Sequence, residues 1–156
     1  MRARFLLLAL IVTACAGGRG SVGNTALPGH GAITIAINPN PVVATRVSGS
    51  TYDFPFEVVV RETGGHPVEV TSVSATVFAL GGIQIASESY DAARIAQLGY
   101  STHLPANGEV RYRFNPRRDV TDERLFSGVS ADVRVDGHDD SGAPTTAGTR
   151  VTVTRG

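Results

Sequence analysis

Residues 52–61 read YDFPFEVVVR. Tyr52, Phe54, Phe56, Val58 and Val60 fall on one side of a two-residue alternation. Asp53, Pro55, Glu57, Val59 and Arg61 fall on the other. Successive side chains of an extended strand point to opposite faces, so this pattern predicts one strand with a buried face and a solvated one. The stretch is too rich in β-branched and aromatic residues for a surface helix.

The same period extends outward. Ile33, Ile35 and Ile37 alternate with Ala32, Thr34 and Ala36, until Asn38-Pro39-Asn40-Pro41 breaks the ladder. Val42 to Val47 is expected to resume on a neighbouring sheet. Gly64-Gly65 and Pro67 mark a turn. Val68 to Leu80 is long and β-branched, and its alternation slips between Ser72 and Ala75, which predicts a bulge. Gly81-Gly82 ends it, and Ile83-Gln84-Ile85 begins another strand. Val110, Tyr112 and Phe114 point opposite to Arg111 and Arg113, and Val129, Ala131, Val133 and Val135 repeat the pattern. Val151 and Val153 face inward near the end. Helical propensity is confined to Ala92–Leu98 and a short turn over Thr121–Phe126, both too short to stand as packed helices. Seven or eight short strands separated by turn signals predict an all-β antiparallel sandwich over residues 32–156, with Phe54, Phe56, Phe78, Tyr112 and Phe114 between the sheets.

The first 31 residues are different. Arg2 and Arg4 precede the apolar run Phe5–Val12, and small residues follow, which is the layout of a secretory signal peptide. The run is less than half of the roughly 20 apolar residues that a spanning helix needs. Val12-Thr13-Ala14-Cys15 resembles the lipobox of bacterial prolipoproteins. That resemblance implies cleavage after Ala14, a signal peptide over residues 1–14, and a lipidated Cys15 holding the protein at the bacterial cell envelope. Ala14-Cys15-Ala16 also fits an ordinary A-x-A cleavage site, which would release the protein in soluble form. Ala16 to Gly31 is Gly-rich and poor in apolar residues, and reads with Cys15 as a flexible tether (15–31) with a reach of roughly 20–24 Å.

Composition narrows the function classes. The 14 basic residues, all Arg, balance 14 acidic ones, and loss of Arg2 and Arg4 leaves the mature chain slightly acidic, so a nucleic-acid partner is not expected. Cys15 is the only cysteine, so no internal disulfide is possible. Gly18-Arg19-Gly20-Ser21-Val22-Gly23 matches the GxGxxG fingerprint but lacks the strand before and the helix after that dinucleotide binding needs. His30, His66, His103 and His138 are scattered over predicted loops or the tether, without metal-ligand spacing. Ser101 and His103 are neighbours, but no orienting acid or nucleophile elbow accompanies them. No enzymatic chemistry and no small-molecule substrate are expected.

Two charged clusters remain. Asp136, Asp139 and Asp140 bring three carboxylates into five residues; they read as a polar hairpin, with Ca²⁺ as the cation such oxygens would take, although the spacing is not that of an EF-hand. Arg111, Arg113, Arg117 and Arg118 read as a patch for an anionic ligand, or, for Arg111 and Arg113, as partners across a ladder for outward acids such as Asp53 and Glu57.

The pieces GAITIAINPNPV, EVVVRETGGHPVEVTSV, LPANGEVRYRF and VSADVRVDGHDDSGAPTTAGTRVTV together resemble the immunoglobulin-like domains of bacterial surface and secreted proteins. An LPxxG-type turn into one strand and a GxDxxG hairpin (Gly137, Asp139, Gly142) carry the likeness. The chain departs from antibody domains in having neither their cysteine pair nor their core Trp. The resemblance implies binding, spacing or adhesion, with an envelope protein or glycan as partner and no catalytic residues. The alternative is an accessory or inhibitory subunit that docks on an envelope enzyme or transporter.

Overall fold

The YDFPFEVVVR stretch is two strands, and they belong to different sheets. The computed structural model describes residues 22–23 and 27–156; Cys15, the signal peptide and most of the tether lie outside the described residues. The strands are β1 (Val22–Gly23), β2 (Ile33–Asn38), β3 (Val42–Ser48), β4 (Thr51–Asp53), β5 (Phe56–Glu62), β6 (Val68–Phe78), β7 (Gln84–Asp91), β8 (His103–Leu104), β9 (Glu109–Phe114), β10 (Arg117–Asp119), β11 (Ser130–Asp139) and β12 (Pro144–Arg155). A short helix α1 (Ala92–Gln97) and one 3₁₀ turn (Glu123–Phe126) interrupt them. A three-stranded sheet has the order β2-β5-β9, and a larger one runs β10-β4-β3-β12-β11-β6-β7, with β1 beside β12 and β8 beside β6. The fold is all-β with two sheets.

Prolines explain how they meet. The order β2-β5-β9 in the small sheet repeats as β3-β4-β10 in the large one. The same three chain segments therefore pass from one sheet to the other, and the breaks fall at Pro39/Pro41, Pro55 and Pro116. Proline has no N–H for a ladder and fixes its own φ, so it is compatible with a strand corner and not with a straight central strand. The Asn38–Pro39 and Asn40–Pro41 peptide bonds are cis. Two of the corners are joined directly, since the Phe54 N–H donates to the Pro116 carbonyl at 3.0 Å. The alternation through Phe54 survives the corner, which is why residues 52–61 look like one strand in the sequence. β3 returns parallel to β12, pairing Val42 with Val153, while the other ladders are antiparallel.

A bulge decides one core assignment. Asp136 pairs with Ser72 but Gly137 pairs with Val70, so Thr71 is the extra residue on β6. An extra residue reverses which side chains face inward. Val68 and Val70 are buried before it, Val73 after it, with Ala75 and Val77 continuing the inner face. Phe78 is thereby turned outward, contrary to the sequence expectation, and lies under the Arg150 guanidinium, 5.8 Å from its ring centroid. Of the other aromatics expected in the core, Tyr112 and Phe114 are buried, and Phe54 and Phe56 pack against the core part-exposed. Tyr52 is fully buried as well. At the tip of the β6–β7 hairpin, Gly81 and Gly82 both have positive φ (85° and 78°), a conformation that side chains with a Cβ rarely adopt.

α1 starts where the sequence places it. The Asp91 carboxylate caps it by accepting from the Arg94 N–H at 2.7 Å, and Ile95 anchors it in the core. Among the described residues no helix is long and apolar enough to cross a membrane.

Candidate ligand-binding cleft

Bending three segments leaves part of the large sheet's inner face uncovered by the small sheet. There lies an apolar cleft of about 330 Å³. Its floor is the inward row Ala75 and Val77 of β6, Ala131 and Val133 of β11, and Val151 and Val153 of β12. Phe54 and Phe56 form the wall at the proline corner, and Leu125 and Phe126 of the 3₁₀ turn form another. That turn is held in place by Tyr52: the Phe126 ring meets it edge-on at 5.1 Å, and the Tyr52 hydroxyl donates to Glu123 at 2.9 Å while accepting from Arg46 at 2.7 Å.

The end strands of the large sheet, β7 and β10, face one another across the cleft. No ladder joins them; instead Arg118 of β10 donates to Glu88 of β7 at 2.5 Å. Glu88 pairs in register with Ala75 and so points inward, and it also accepts from the Tyr90 hydroxyl at 2.7 Å. An inward-facing charge on an end strand discourages pairing with another chain. Burial, and next the Glu88 carboxylate, push the Tyr90 hydroxyl up to about 12, so it remains a neutral donor at physiological pH. Ile85 is the extra residue of a second bulge, between Val77/Ala86 and Phe78/Gln84, and stands at the lip 46% exposed.

Two buried carboxylates shape the opposite end. Glu62 is 3% exposed, and its carboxylate accepts from four backbone N–H groups: Ala32 (3.1 Å), Gly64 (2.5 Å), Gly65 (2.9 Å) and Asn107 (2.8 Å). It ties the start of β2 to the 64–65 turn and to the LPANG turn before β9. Burial alone would raise its pKa, but the four donors outweigh burial and hold the carboxyl below its ordinary value. Gly64 is required at this junction, because a Cβ there would come within 2.2 Å of the His30 carbonyl oxygen.

Asp139 is the second. It is 2% exposed and accepts from the Ser141 hydroxyl (2.6 Å), the Ser141 and Ala143 N–H groups (both 2.9 Å) and the Gly31 N–H (3.1 Å), with His30 Nδ1 also at 3.1 Å. The Ser141 hydroxyl, against burial and with the Gly31 and Ala143 amides, holds this carboxyl far below the usual aspartate range. His30 and Gly31, assigned by sequence to the tether, are thus fastened to the domain, and Val22–Gly23 pairs with Ala147 and Gly148. Replacing Asp139 by Ala should speed hydrogen exchange at the Gly31 and Ala143 amides relative to the Val133 amide, measured by NMR at neutral pH.

The three hairpin aspartates do not converge. Asp136 accepts from Arg134, Thr146 and Ser72, and Asp140 lies 3.6 Å from His66 Nδ1. Among the described residues no group of three or more His, Cys, Asp or Glu is placed to hold a metal ion. The four arginines separate into two places. Arg111 and Arg113 stand on the outer face of the small sheet, both bonded to Glu57 at 2.8 and 2.9 Å, beside the Arg61–Glu109 pair. Arg117 forms a two-pronged pair with Asp53, and Arg118 closes over the cleft. His103 and His138 fall in β8 and β11 rather than in loops, because both strands run further than the flanking Gly and Pro suggest.

The cleft itself is absent from the sequence reading. Its outward signals were Pro55 and Pro116, which bend the segments, and Ala75, Ala86 and Ala131, which leave the volume. Fold and cleft together define an all-β domain with a small apolar cleft between its sheets. One X-ray structure, described as Northeast Structural Genomics Consortium target SoR45, is similar with a TM-score of 0.55 at 12% identity, covering 82% of this chain and 90% of that one. Another, described as the putative ApaA protein from Bordetella pertussis, has a TM-score of 0.50 at 11% identity, with 83% and 98% covered. At these identities the likeness is one of fold alone. No family model matches the chain, and no curated protein matches it.

Proposed function

We propose that this chain is a bacterial envelope lipoprotein, fixed by acylated Cys15, whose single immunoglobulin-like domain binds a ligand rather than transforming it. The observation that carries the binding reading is the apolar cleft, whose floor is built from alanine and valine and whose rim charges are already paired to one another. Support for the immunoglobulin-like assignment comes from strand order. A β2-β5-β9 sheet opposes a β3-β12-β11-β6-β7 sheet, and the first segment switches sheets to run parallel to the last strand. The lipobox supports the anchor, and a three-chain acyl group on one cysteine would make release from a membrane negligible, since each buried methylene contributes about 0.8 kcal/mol.

A second reading has one observation in its favour. Leu80 and Ile83, 76% and 66% exposed, stand on the β6–β7 hairpin tip, a shape suited to docking on another envelope protein.

Fractionation of bacterial cells tests the anchor. The unaltered chain should incorporate labelled palmitate and sediment with membranes, while Cys15→Ser should do neither. An unlabelled chain, or a Cys15→Ser variant that still sediments with membranes, would contradict the proposal.

A further inference from the structure

We propose that the cleft between β7 and β10 takes one alkyl or acyl chain of a single-chain amphiphile with an uncharged head group. This rests on the binding reading above and names the ligand class of the same site.

The volume, about 330 Å³, is at the lower end of the roughly 300–1,000 Å³ of ligand pockets, which suits one chain and excludes a two-chain lipid or a large planar cofactor. Its depth offers only carbon: Val77, Val133, Val151 and Val153 from the large sheet, with Phe54 and Phe56 across from them. A sugar or nucleotide would have to bury its polar groups there without partners, which is costly. An alkyl chain has none to bury.

The entrance fits the same occupant. Ile85 and Leu125 line the cleft yet are 46% and 38% exposed, so an apolar lip faces water at the mouth. Polar groups stand only at the rim. Glu88 is bonded to Arg118 and Tyr90, and Asp119 accepts from the Thr51 hydroxyl at 2.6 Å. The one guanidinium lining the rim, Arg118, is already bonded to Glu88, so a carboxylate or phosphate head meets no free cation there. Thr121 lines the cleft beside it. A neutral head such as an alcohol can therefore sit at the rim while its tail fills the cleft.

The test uses the full chain carrying Cys15→Ser, so that no acyl group of its own competes, and the neutral fluorophore N-phenyl-1-naphthylamine. Its fluorescence should rise to saturation at one site per chain. 1-Decanol should displace it at a concentration at least tenfold lower than decanoate requires. Ala75→Leu, which fills the floor, should weaken the probe at least tenfold. Ala86→Leu on the end strand should do likewise, and serves if the first variant does not unfold cooperatively. Ile83→Ser, on the hairpin tip outside the cleft, should leave binding unchanged.

Several results would overturn the assignment: no saturable binding, no displacement by decanol, equal displacement by decanoate, or loss through Ile83→Ser in place of the filling variants. The last would move the apolar site to the hairpin and favour a docked protein. None depends on the fractionation of Cys15→Ser, so the anchor and the ligand fail separately.

Discussion

Glu62→Gln should lose about 3 kcal/mol of stability at neutral pH, measured by urea unfolding of purified protein. Each carboxylate oxygen of Glu62 accepts two backbone N–H groups, Oε1 from Ala32 and Gly64 and Oε2 from Gly65 and Asn107. Glutamine keeps the shape but places an NH₂ where one oxygen was, so two buried donors face a donor. Buried hydrogen bonds to a charged acceptor are worth about 1.5–3 kcal/mol each, and an unpaired buried group costs about 1–3 kcal/mol. The pH dependence has a definite sign. The folded carboxyl has a lowered pKa, so its contribution is complete above the unfolded value near 4.3 and is lost as pH falls through the folded one. Below about pH 4, therefore, the difference between the unaltered chain and Glu62→Gln should shrink. A gap that stays constant from pH 7 down to about pH 3 would show that the ionised carboxylate is not what holds the junction.

Phe114→Ala should cost about 3–5 kcal/mol and lower the melting temperature by more than about 10 °C. Phe114 is 6% exposed, packs at 4.5 Å from the Tyr90 ring and 5.5 Å from the Phe56 ring, and pairs in register with Phe56 across β5–β9. Both neighbours line the cleft, so the void left by truncation opens into it. Such a cavity can be refilled from solution. Added 1-decanol should raise the melting temperature of Phe114→Ala further than that of the unaltered chain, because a ligand that binds only the folded state stabilises it. Differential scanning calorimetry with and without the alcohol reads both effects.

These expectations show which physical signals the sequence carries. Two-residue periodicity identified the strands of β2, β5, β9, β11 and β12, since burial of one face imposes that period on any sheet. That Arg111 and Arg113 meet an outward acid on the neighbouring strand was also legible, and Glu57 bonds both; that Asp53 pairs with Arg117 instead was not. The slip in alternation signalled the bulge, expected between Ser72 and Ala75 and found one residue earlier at Thr71, but Phe78 was still expected inward although the extra residue reverses every side chain after it. Nor was the corner at Pro55 legible, since the apolar alternation runs through it: Phe54 and Phe56 face one interior from two sheets. The cleft follows from that corner and the matching one at Pro116, a relation between residues 61 positions apart that no local pattern encodes. Glu62 escaped notice for a similar reason, and Asp139, read as one of three hairpin carboxylates, was not recognised as the group that fastens Gly31 to the hairpin. Their donors are mostly backbone amides, and backbone amides have no signature in the sequence.

The central claim, an apolar chain held between the bent segments, is tested most directly by methyl-resolved NMR of the Cys15→Ser chain titrated with 1-decanol. The largest shifts should fall on Val77, Val133, Val153 and Ile85, with intermolecular cross-peaks from the alkyl protons to these methyls and none to Val68, Val70 or Leu104, which do not line the cleft. Shifts confined to Leu80 and Ile83, or no saturable shifts at all, would contradict it.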